Sequence, residues 1–351
     1  MKLSNSPLIL LITLLVYALH FFPAQAQHSD TLIALVESPT NGILYYIDQK
    51  GNIIINKEKG NAHDFSDDLL RKDVGGYGFV NWKNEWVIEP TYFAAENFSD
   101  GLSRVRNFGN EWGYIDKKGK LVIPMQFAAA WDFENGMAGV RINGLWGFID
   151  TTGNVVIKAQ YKNINPFKNG YAAVKMTNDQ WSQINKKGQI ITTTQPQYTY
   201  MAACADNRIR VRLTTKEGRN WWGYRDTLGI SAIMVKYIQA EDFSEGLARV
   251  RESKDWGYID VNGNYIIKPQ FDFCSDFKDG MARVMIKDKW GIINKKGEWL
   301  VQPRFEMIRE IVEGIAAASD GNNWGYIDTK GNWIIQPYYK MAKDFVRVKI
   351  N

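Results

Sequence analysis

Carboxylates at a regular spacing are the first candidates for chemistry in this sequence. Aspartates recur three residues before a glycine, among them Asp116, Asp150, Asp226, Asp260 and Asp328. Such carboxylates could act as general acids and bases, or could bind calcium. Their identical recurrence indicates turn formation instead, because Asp side chains hydrogen-bond to the backbone of tight turns. The loops also lack the clustered oxygen ligands that calcium needs.

Other catalytic groups are scarce. The only histidines are His20, His28 and His63, so Ser-His-Asp or Cys-His catalysis lacks a positioned base over most of the chain. The two cysteines, Cys204 and Cys274, match no zinc spacing and occupy non-equivalent positions, so we expect two free, buried thiols. No glycine-rich phosphate motif is present. The sequence therefore predicts a protein without catalytic residues, metal or cofactor.

Cationic and aromatic side chains offer a different chemistry, which is binding. Guanidinium groups suit planar oxyanions, so a row of arginines could hold an acidic polysaccharide. The same row could be a charged edge that prevents strands from aggregating. Trp131 and Trp221 stand outside the regular positions and could stack on sugars or anchor a protein partner. The arginines of this row are Arg104, Arg106, Arg141, Arg210, Arg212, Arg249, Arg251 and Arg283.

These residues belong to a repeat of about 34 residues, a period typical of arrays of small structural units. "EWGYIDKKGKLVIP" at 111 to 124 returns as "LWGFIDTTGNVVIK" at 145 and "DWGYIDVNGNYIIK" at 255. Leu44 and Tyr77 begin two degenerate copies, which gives about nine units within residues 27–351. The anchors of the other copies are Trp112, Trp146, Trp181, Trp222, Trp256, Trp290 and Trp324.

Each unit is predicted to be a three-stranded β-meander. Seven residues after each anchor comes a glycine such as Gly119, replaced once by Asn84, so this position needs a positive φ angle. A β-branched run follows and usually meets a proline, such as Pro269, at which we expect the strand to end. The glycine beside each Trp is expected to let another element approach the backbone closely.

Stacked units could advance as an open superhelix or close into a ring. A ring usually closes when a terminal strand completes the first unit, so one strand should be missing there. The run "TLIALVE" at 31–37 already supplies the first unit with a leading strand, and nine blades are many for a ring. We therefore expect an all-β, open superhelical array, with a closed β-propeller as the alternative.

The amino-terminal residues predict export. Residues 1–26 combine Lys2, an apolar run and the triplet Ala24-Gln25-Ala26, which is the pattern of a cleavable signal peptide. Beyond residue 26 no apolar run is long enough to span a bilayer, so we expect no transmembrane segment in the mature chain. A formal net charge of +5 is too small to favour nucleic acid. The expected location is the periplasm or the cell surface.

The pattern "WGYID..G..VI.P.F...F..GLA.V" resembles the WG-repeat family, also called KWG repeats, of bacterial exported proteins, over roughly residues 31–351. Two departures are Ser182 in place of Gly and Arg225 in place of Ile, and residues 214–220 form an insertion between them. The resemblance implies a repeat scaffold. We therefore expect a non-enzymatic protein that binds a protein partner at the cell envelope, with envelope glycan as the alternative ligand.

Overall fold

The computed structural model describes residues 30–57, 65–195 and 197–349. The expected signal peptide, residues 1–26, and the three histidines lie outside these residues. The described chain forms nine antiparallel sheets, which we call blades 1 to 9 in chain order.

Blades 1 to 3 contain β1 (Asp30–Glu37), β2 (Leu44–Asp48), β3 (Ile53–Lys57), β4 (Phe65–Ser66), β5 (Leu69–Asp73), β6 (Tyr77–Val80), β7 (Trp86–Tyr92), β8 (Ala94–Ala95), β9 (Leu102–Arg106), β10 (Trp112–Asp116) and β11 (Leu121–Phe127). Blades 4 to 6 contain β12 (Ala129–Ala130), β13 (Met137–Ile142), β14 (Leu145–Asp150), β15 (Val155–Tyr161), β16 (Asn163–Ile164), β17 (Tyr171–Lys175), β18 (Trp181–Asn185), β19 (Ile190–Thr193), β20 (Tyr198–Ala205), β21 (Arg208–Thr214), β22 (Asn220–Arg225) and β23 (Ser231–Tyr237). Blades 7 to 9 contain β24 (Gln239–Ala240), β25 (Leu247–Arg251), β26 (Trp256–Asp260), β27 (Tyr265–Phe271), β28 (Phe273–Cys274), β29 (Met281–Ile286), β30 (Lys289–Asn294), β31 (Trp299–Phe305), β32 (Met307–Val312), β33 (Ile315–Ser319), β34 (Trp324–Asp328) and β35 (Trp333–Tyr339). The last strands, β36 (Met341–Ala342) and β37 (Val346–Lys349), join blade 1.

Each of blades 2 to 9 has four strands, which we call a, b, c and d in chain order. Strand a is often only two residues long, as in Ala94–Ala95 and Ala129–Ala130, and it lies between the predicted three-stranded meanders. The expectation of a three-stranded unit is therefore wrong. So short a strand shows no alternation of polar and apolar residues from which it could be predicted.

The two ends of the described chain meet in blade 1. Strand β1 pairs with β36 and β37, with Val36 opposite Ala342 and Ile33 opposite Val346. The leading strand at 31–37 is thus a strand b, and residues 341–349 supply the strand a that blade 1 lacks. The expectation of an open superhelical array is therefore wrong, because this pairing closes the nine blades into a β-propeller.

The hydrophobic core lies between the blades and follows the whole ring. Nine clusters of buried residues each combine side chains from two consecutive blades. Tyr114 of blade 3, for example, shares a cluster with Ile149 of blade 4. Tyr326 of blade 9 shares one with Ile47 of blade 1, so the closing contact resembles the interior ones. Each blade thereby buries a face that it could not bury alone.

The turn between strands c and d follows the sequence prediction closely. The glycines at this turn have positive φ, as at Gly119 (81°), and Asn84 adopts 65°. The Asp116 carboxylate accepts hydrogen bonds from the backbone N–H groups of Lys118 and Lys120, both at 2.9 Å. The prediction that the aspartate column forms turns is confirmed at this site.

The glycine beside the anchor Trp allows strand d to bulge towards strand c. A Cβ atom at Gly257 would lie 2.7 Å from the Ile267 carbonyl oxygen, which confirms the expected close approach. Trp256 pairs with Phe271 and Tyr258 with Ile267, so the residues between them bulge. Pro269 lies in this bulge, inside β27, and the expectation that the strand ends there is wrong. Its missing N–H costs nothing at a bulge on an edge strand.

Candidate functional site

Half of the arginine row holds neighbouring blades together. Arg104, Arg210, Arg249 and Arg283 occupy one position of strand b, and each reaches a carbonyl oxygen in strand a of the next blade. Arg249 donates from Nη1 to the Cys274 carbonyl at 2.9 Å and from Nε to the Asp276 carboxylate at 2.7 Å. These guanidinium groups are largely occupied by contacts within the ring.

Acidic neighbours of this column strengthen the contact. Burial by itself lowers the pKa of Arg210, but Asp242 and Glu241 outweigh it and the pKa is raised. The Arg210 Nη1 atom lies 2.6 Å from the Glu241 carboxylate, and its Nε lies 3.0 Å from that of Asp242. Charge-assisted pairs of this kind are stronger than neutral hydrogen bonds.

The other half of the row lies at the end of strand b, opposite the anchor Trp of the same blade. Arg106, Arg212 and Arg251 place their guanidinium groups 5.3–5.6 Å from the rings of Trp112, Trp222 and Trp256. Arg104, Arg210 and Arg249 stack on the same rings, so each indole contacts two arginines. Arg141 is exposed and donates to the Gly144 carbonyl at 3.1 Å.

The anchors vary in burial around the ring. Trp181, Trp256 and Trp290 are buried, whereas the indoles of Trp112, Trp146, Trp222 and Trp324 are half-buried. The structure therefore places the anchors against their own blades and leaves part of the Trp-Arg surface open to solvent.

Three clefts lie along strand a, where consecutive blades meet. One of about 390 Å³ is lined by Arg249, Asp276 and Arg283, and another of about 310 Å³ by Arg309, Glu310 and Trp324. A third of about 370 Å³ contains Trp131, together with side chains including Arg104 and Asp132. Each of these three clefts therefore combines an arginine with a carboxylate.

Trp131 has space because its blade lacks one arginine. Gly139 occupies the position that Arg104 fills in the preceding blade, and the Trp131 ring lies 3.5 Å from where a Cβ of Gly139 would be. The indole packs against Trp146 with 5.2 Å between ring centroids and stays half-buried. Trp131 therefore presents an aromatic surface next to the Arg104–Asp132 ion pair, whose atoms are 2.7 Å apart.

Trp221 lies on the inserted hairpin of blade 6. The insertion at 214–220 lengthens strands b and c, and Leu213 pairs with Trp221 while Thr214 pairs with Asn220. The turn closes with a hydrogen bond of 2.8 Å from the Thr215 N–H to the Arg219 carbonyl. Trp221 is half-buried on this hairpin, away from Trp131.

The remaining reactive groups are held in the core. Cys204 and Cys274 are free and buried, and burial raises the pKa of the Cys274 thiol to about 12. In the part of the chain that the structure describes, no group of His, Cys, Asp or Glu side chains has the arrangement of a metal site. Nor does any helix there have the length and apolarity to cross a bilayer.

A family model for the WG containing repeat matches residues 77–110, 112–146, 146–181, 256–290, 290–324 and 324–347. These matches cover more than half of the chain. The chain belongs to the WG-repeat family. WG repeats form a repeat scaffold and are not a known enzyme family, and the β-rich ring is compatible with binding.

Solved structures resemble the ring only distantly. A dihydro-haem d1 dehydrogenase, NirN, in complex with DHE has a TM-score of 0.49 and 13% identity, over 91% of this chain and 75% of that chain. BamB from Moraxella catarrhalis has a TM-score of 0.39 and 9% identity, over 86% and 90%. No curated protein matches the WG-repeat chain in sequence.

The WG-repeat matches leave out residues 182–255, which include blade 6, and this blade exposes apolar side chains at positions that are not apolar in the other copies. Leu228, Ile230 and Met234, which we call the blade 6 patch, are 77%, 62% and 76% exposed. The other copies have Lys, Thr or Asn at the position of Leu228, and polar residues at that of Ile230. At the position of Met234 they have polar residues or proline.

Sequence reasoning missed this patch because it searched for charged and aromatic residues. The signal was nevertheless present in the alignment of the repeats. Lys118, Lys296 and Lys330 occupy the position of Leu228, and Asn154 and Asn264 that of Ile230. Three apolar residues in one copy, at positions that are not apolar in the others, indicate a function specific to that blade. Residues that recur in most copies indicate a role in the fold.

Proposed function

We propose that this WG-repeat protein is an exported, non-enzymatic scaffold that binds a protein partner at the bacterial cell envelope through blade 6. The blade 6 patch is the observation that carries the proposal. Large apolar side chains that remain exposed together on a soluble surface mark interaction sites. The other blades, built from the same repeat, fold with polar residues or proline at these positions, so folding does not require the three large apolar side chains.

The patch continues onto the neighbouring blade. Gly229, between Leu228 and Ile230, packs against Thr192 of blade 5. Ile191, the neighbour of Thr192 on the same strand, is 41% exposed. Blades 5 and 6 together therefore expose four apolar side chains, Ile191, Leu228, Ile230 and Met234. A surface of this kind provides the apolar centre that protein interfaces need.

Location at the envelope is supported by the amino-terminal sequence. The cationic start, the apolar run and the small-residue triplet before residue 27 are the features of a secretory leader. The absence of catalytic function is supported by the roles of the reactive groups in the described ring. The aspartate column forms turns, and the cysteines are buried with a raised thiol pKa.

The patch can be tested with residues taken from other copies of the repeat. The variant Leu228→Lys/Ile230→Asn/Met234→Lys should weaken partner binding at least about tenfold, because apolar anchors dominate such interfaces. Binding is measured by placing a photo-crosslinking amino acid at Lys236 in the expressing cells, quantifying the crosslinked species, and titrating the identified partner. The thermal unfolding midpoint should stay near that of the wild type, since the three side chains are exposed.

A matched control places charge on distant blades. Leu300→Lys/Ile334→Lys changes residues that are 40% and 44% exposed on blades 8 and 9 and should leave crosslinking unchanged. The proposal is wrong if the patch variant binds the partner as tightly as the wild type, or if the control variant loses binding equally.

A second candidate, glycan binding, is favoured by the cleft at Trp131. An indole beside a guanidinium group and carboxylates is the combination that sugar sites use for stacking and hydrogen bonding. Trp131→Ala should reduce the affinity for an acidic envelope polysaccharide about tenfold, and added salt should weaken it further. Trp86→Ala, which changes an indole that is 37% exposed on blade 2, is the control. If the wild type binds no envelope polysaccharide at low or high salt, this candidate fails.

A further inference from the structure

Eight of the nine interfaces between blades of the described ring are built from the same pair of apolar side chains. A Tyr, Phe or Ile of strand c in one blade shares a buried cluster with an Ile or Val of strand c in the next. Tyr114 with Ile149, and Tyr258 with Ile293, are examples. At the interface of blades 5 and 6 these two positions are occupied by Gln183 and Arg225.

A third position of this interface is polar as well. Thr192 of strand d replaces the Ile or Val that packs against the turn glycine of the next blade in other copies, such as Ile123 against Gly153. Thr192 pairs directly with Gln183 and is buried, and its hydroxyl is directed towards Gly229 of blade 6. The interface of blades 5 and 6 is therefore polar on both sides.

Gln183 and Arg225 are buried with polar side-chain atoms that have no hydrogen-bond partner in the described part of the protein. Gln183 is 0% exposed, and Arg225 is 6% exposed. Among the residues that the structure describes, none hydrogen-bonds to the Gln183 Nε2 or Oε1 atoms or to the Arg225 Nε or Nη1 atoms. A buried charge without a partner is strongly destabilising, so a counter-charge at this place would stabilise the ring.

The surroundings of Arg225 leave its in-plane donors available. Tyr198 stacks on the guanidinium group, with 5.0 Å between the Arg225 Cζ atom and the ring centroid. This stack covers a face of the group, whereas the Nε and Nη1 hydrogens point outwards in its plane. Gln183 is also smaller than the Tyr or Phe at this position in most other blades.

We propose that the interface between blades 5 and 6 binds a small monovalent anion, such as chloride, between Arg225 and Gln183. The guanidinium N–H groups supply the charge and the edge-on donors, and the Gln183 amide supplies a further N–H donor. The anion thereby neutralises the one arginine that replaces an apolar residue in the interface column. This site is independent of the partner proposed for the blade 6 patch.

Anion-dependent stability tests the site. We expect the thermal unfolding midpoint of the full mature chain to be about 3–6 °C higher in sodium chloride than in sodium gluconate of equal ionic strength. The variant Gln183→Tyr/Arg225→Ile, which installs the side-chain pair of the other interfaces, should unfold at the same temperature in both salts. Arg219→Gln, which removes an exposed arginine of the inserted hairpin, should retain the wild-type difference.

A direct readout uses bromide in place of chloride. Crystals of the wild type grown in bromide should show an anomalous peak within hydrogen-bonding distance of the Arg225 Nε or Nη1 atom. The proposal is overturned if the wild type shows no difference between chloride and gluconate, or if the double variant keeps the difference. A bromide map without a peak at Arg225 also overturns it.

Discussion

Gly257→Val is expected to destabilise the ring by about 3 kcal/mol or more, because overpacking against a fixed backbone cannot be relieved by side-chain movement. A Cβ atom at Gly257 would lie 2.7 Å from both the Ile267 carbonyl oxygen and the Pro269 nitrogen. Both atoms belong to the bulge of strand d, so the strand itself would have to move. Urea unfolding followed by Trp fluorescence measures the change in the free energy of unfolding.

The chain offers a natural control at the same position of blade 5. Ser182 replaces the glycine there. Ser182 pairs with Thr193 and Gln183 pairs with Thr192, so strand d does not bulge opposite Ser182. Ser182→Ala removes one hydroxyl contact, of 3.0 Å to Thr193, and should cost about 1 kcal/mol. If Gly257→Val unfolds within about 1 kcal/mol of the wild type, the bulge does not constrain this position.

Phe345→Ala is expected to cost about 3–5 kcal/mol, as much as the equivalent change inside the ring. Phe345 is 3% exposed and packs on Tyr326 of blade 9 with 4.7 Å between ring centroids. Phe277 has the same position in blade 8 and packs on Tyr258 at the same distance. Phe277→Ala is therefore the matched control.

The comparison of these two variants reports on ring closure. If the carboxyl-terminal strand completes blade 1, both phenylalanines lie in equivalent, filled interfaces and both variants lose similar free energies of unfolding. If Phe345→Ala costs less than about 1 kcal/mol while Phe277→Ala costs several, the terminal strand does not hold the ring together.

The local structure could be predicted from the sequence because it depends on neighbouring residues. Gly119 and Asn84 indicated a turn with positive φ, and Gly257 indicated a close approach of the backbone. Ring closure could not be predicted in this way, because it depends on strand a. Ala94–Ala95 is too short to show a periodic pattern, and a unit of only three strands requires no further partner for the run at 31–37.

The candidate site was predicted less well, for a similar reason. The arginine row looked like a free cationic stripe, but Arg104 and Arg249 contact Asp132 and Asp276 in the following blade. These partners are 27 or 28 residues away, and only the stacking of the blades brings them close. The blade 6 patch was missed because the repeat positions were compared for their shared residues and not for the exceptions.

Closure of the nine blades is tested most directly by a distance between blades 1 and 9. Spin labels at Lys50→Cys and Lys330→Cys occupy equivalent exposed turns, in a background with Cys204→Ala and Cys274→Ala. Lys296→Cys with Lys330→Cys places the same pair on blades 8 and 9. Double electron–electron resonance should give the same distance distribution for both pairs. A much longer distance between Lys50 and Lys330 would contradict the closed ring.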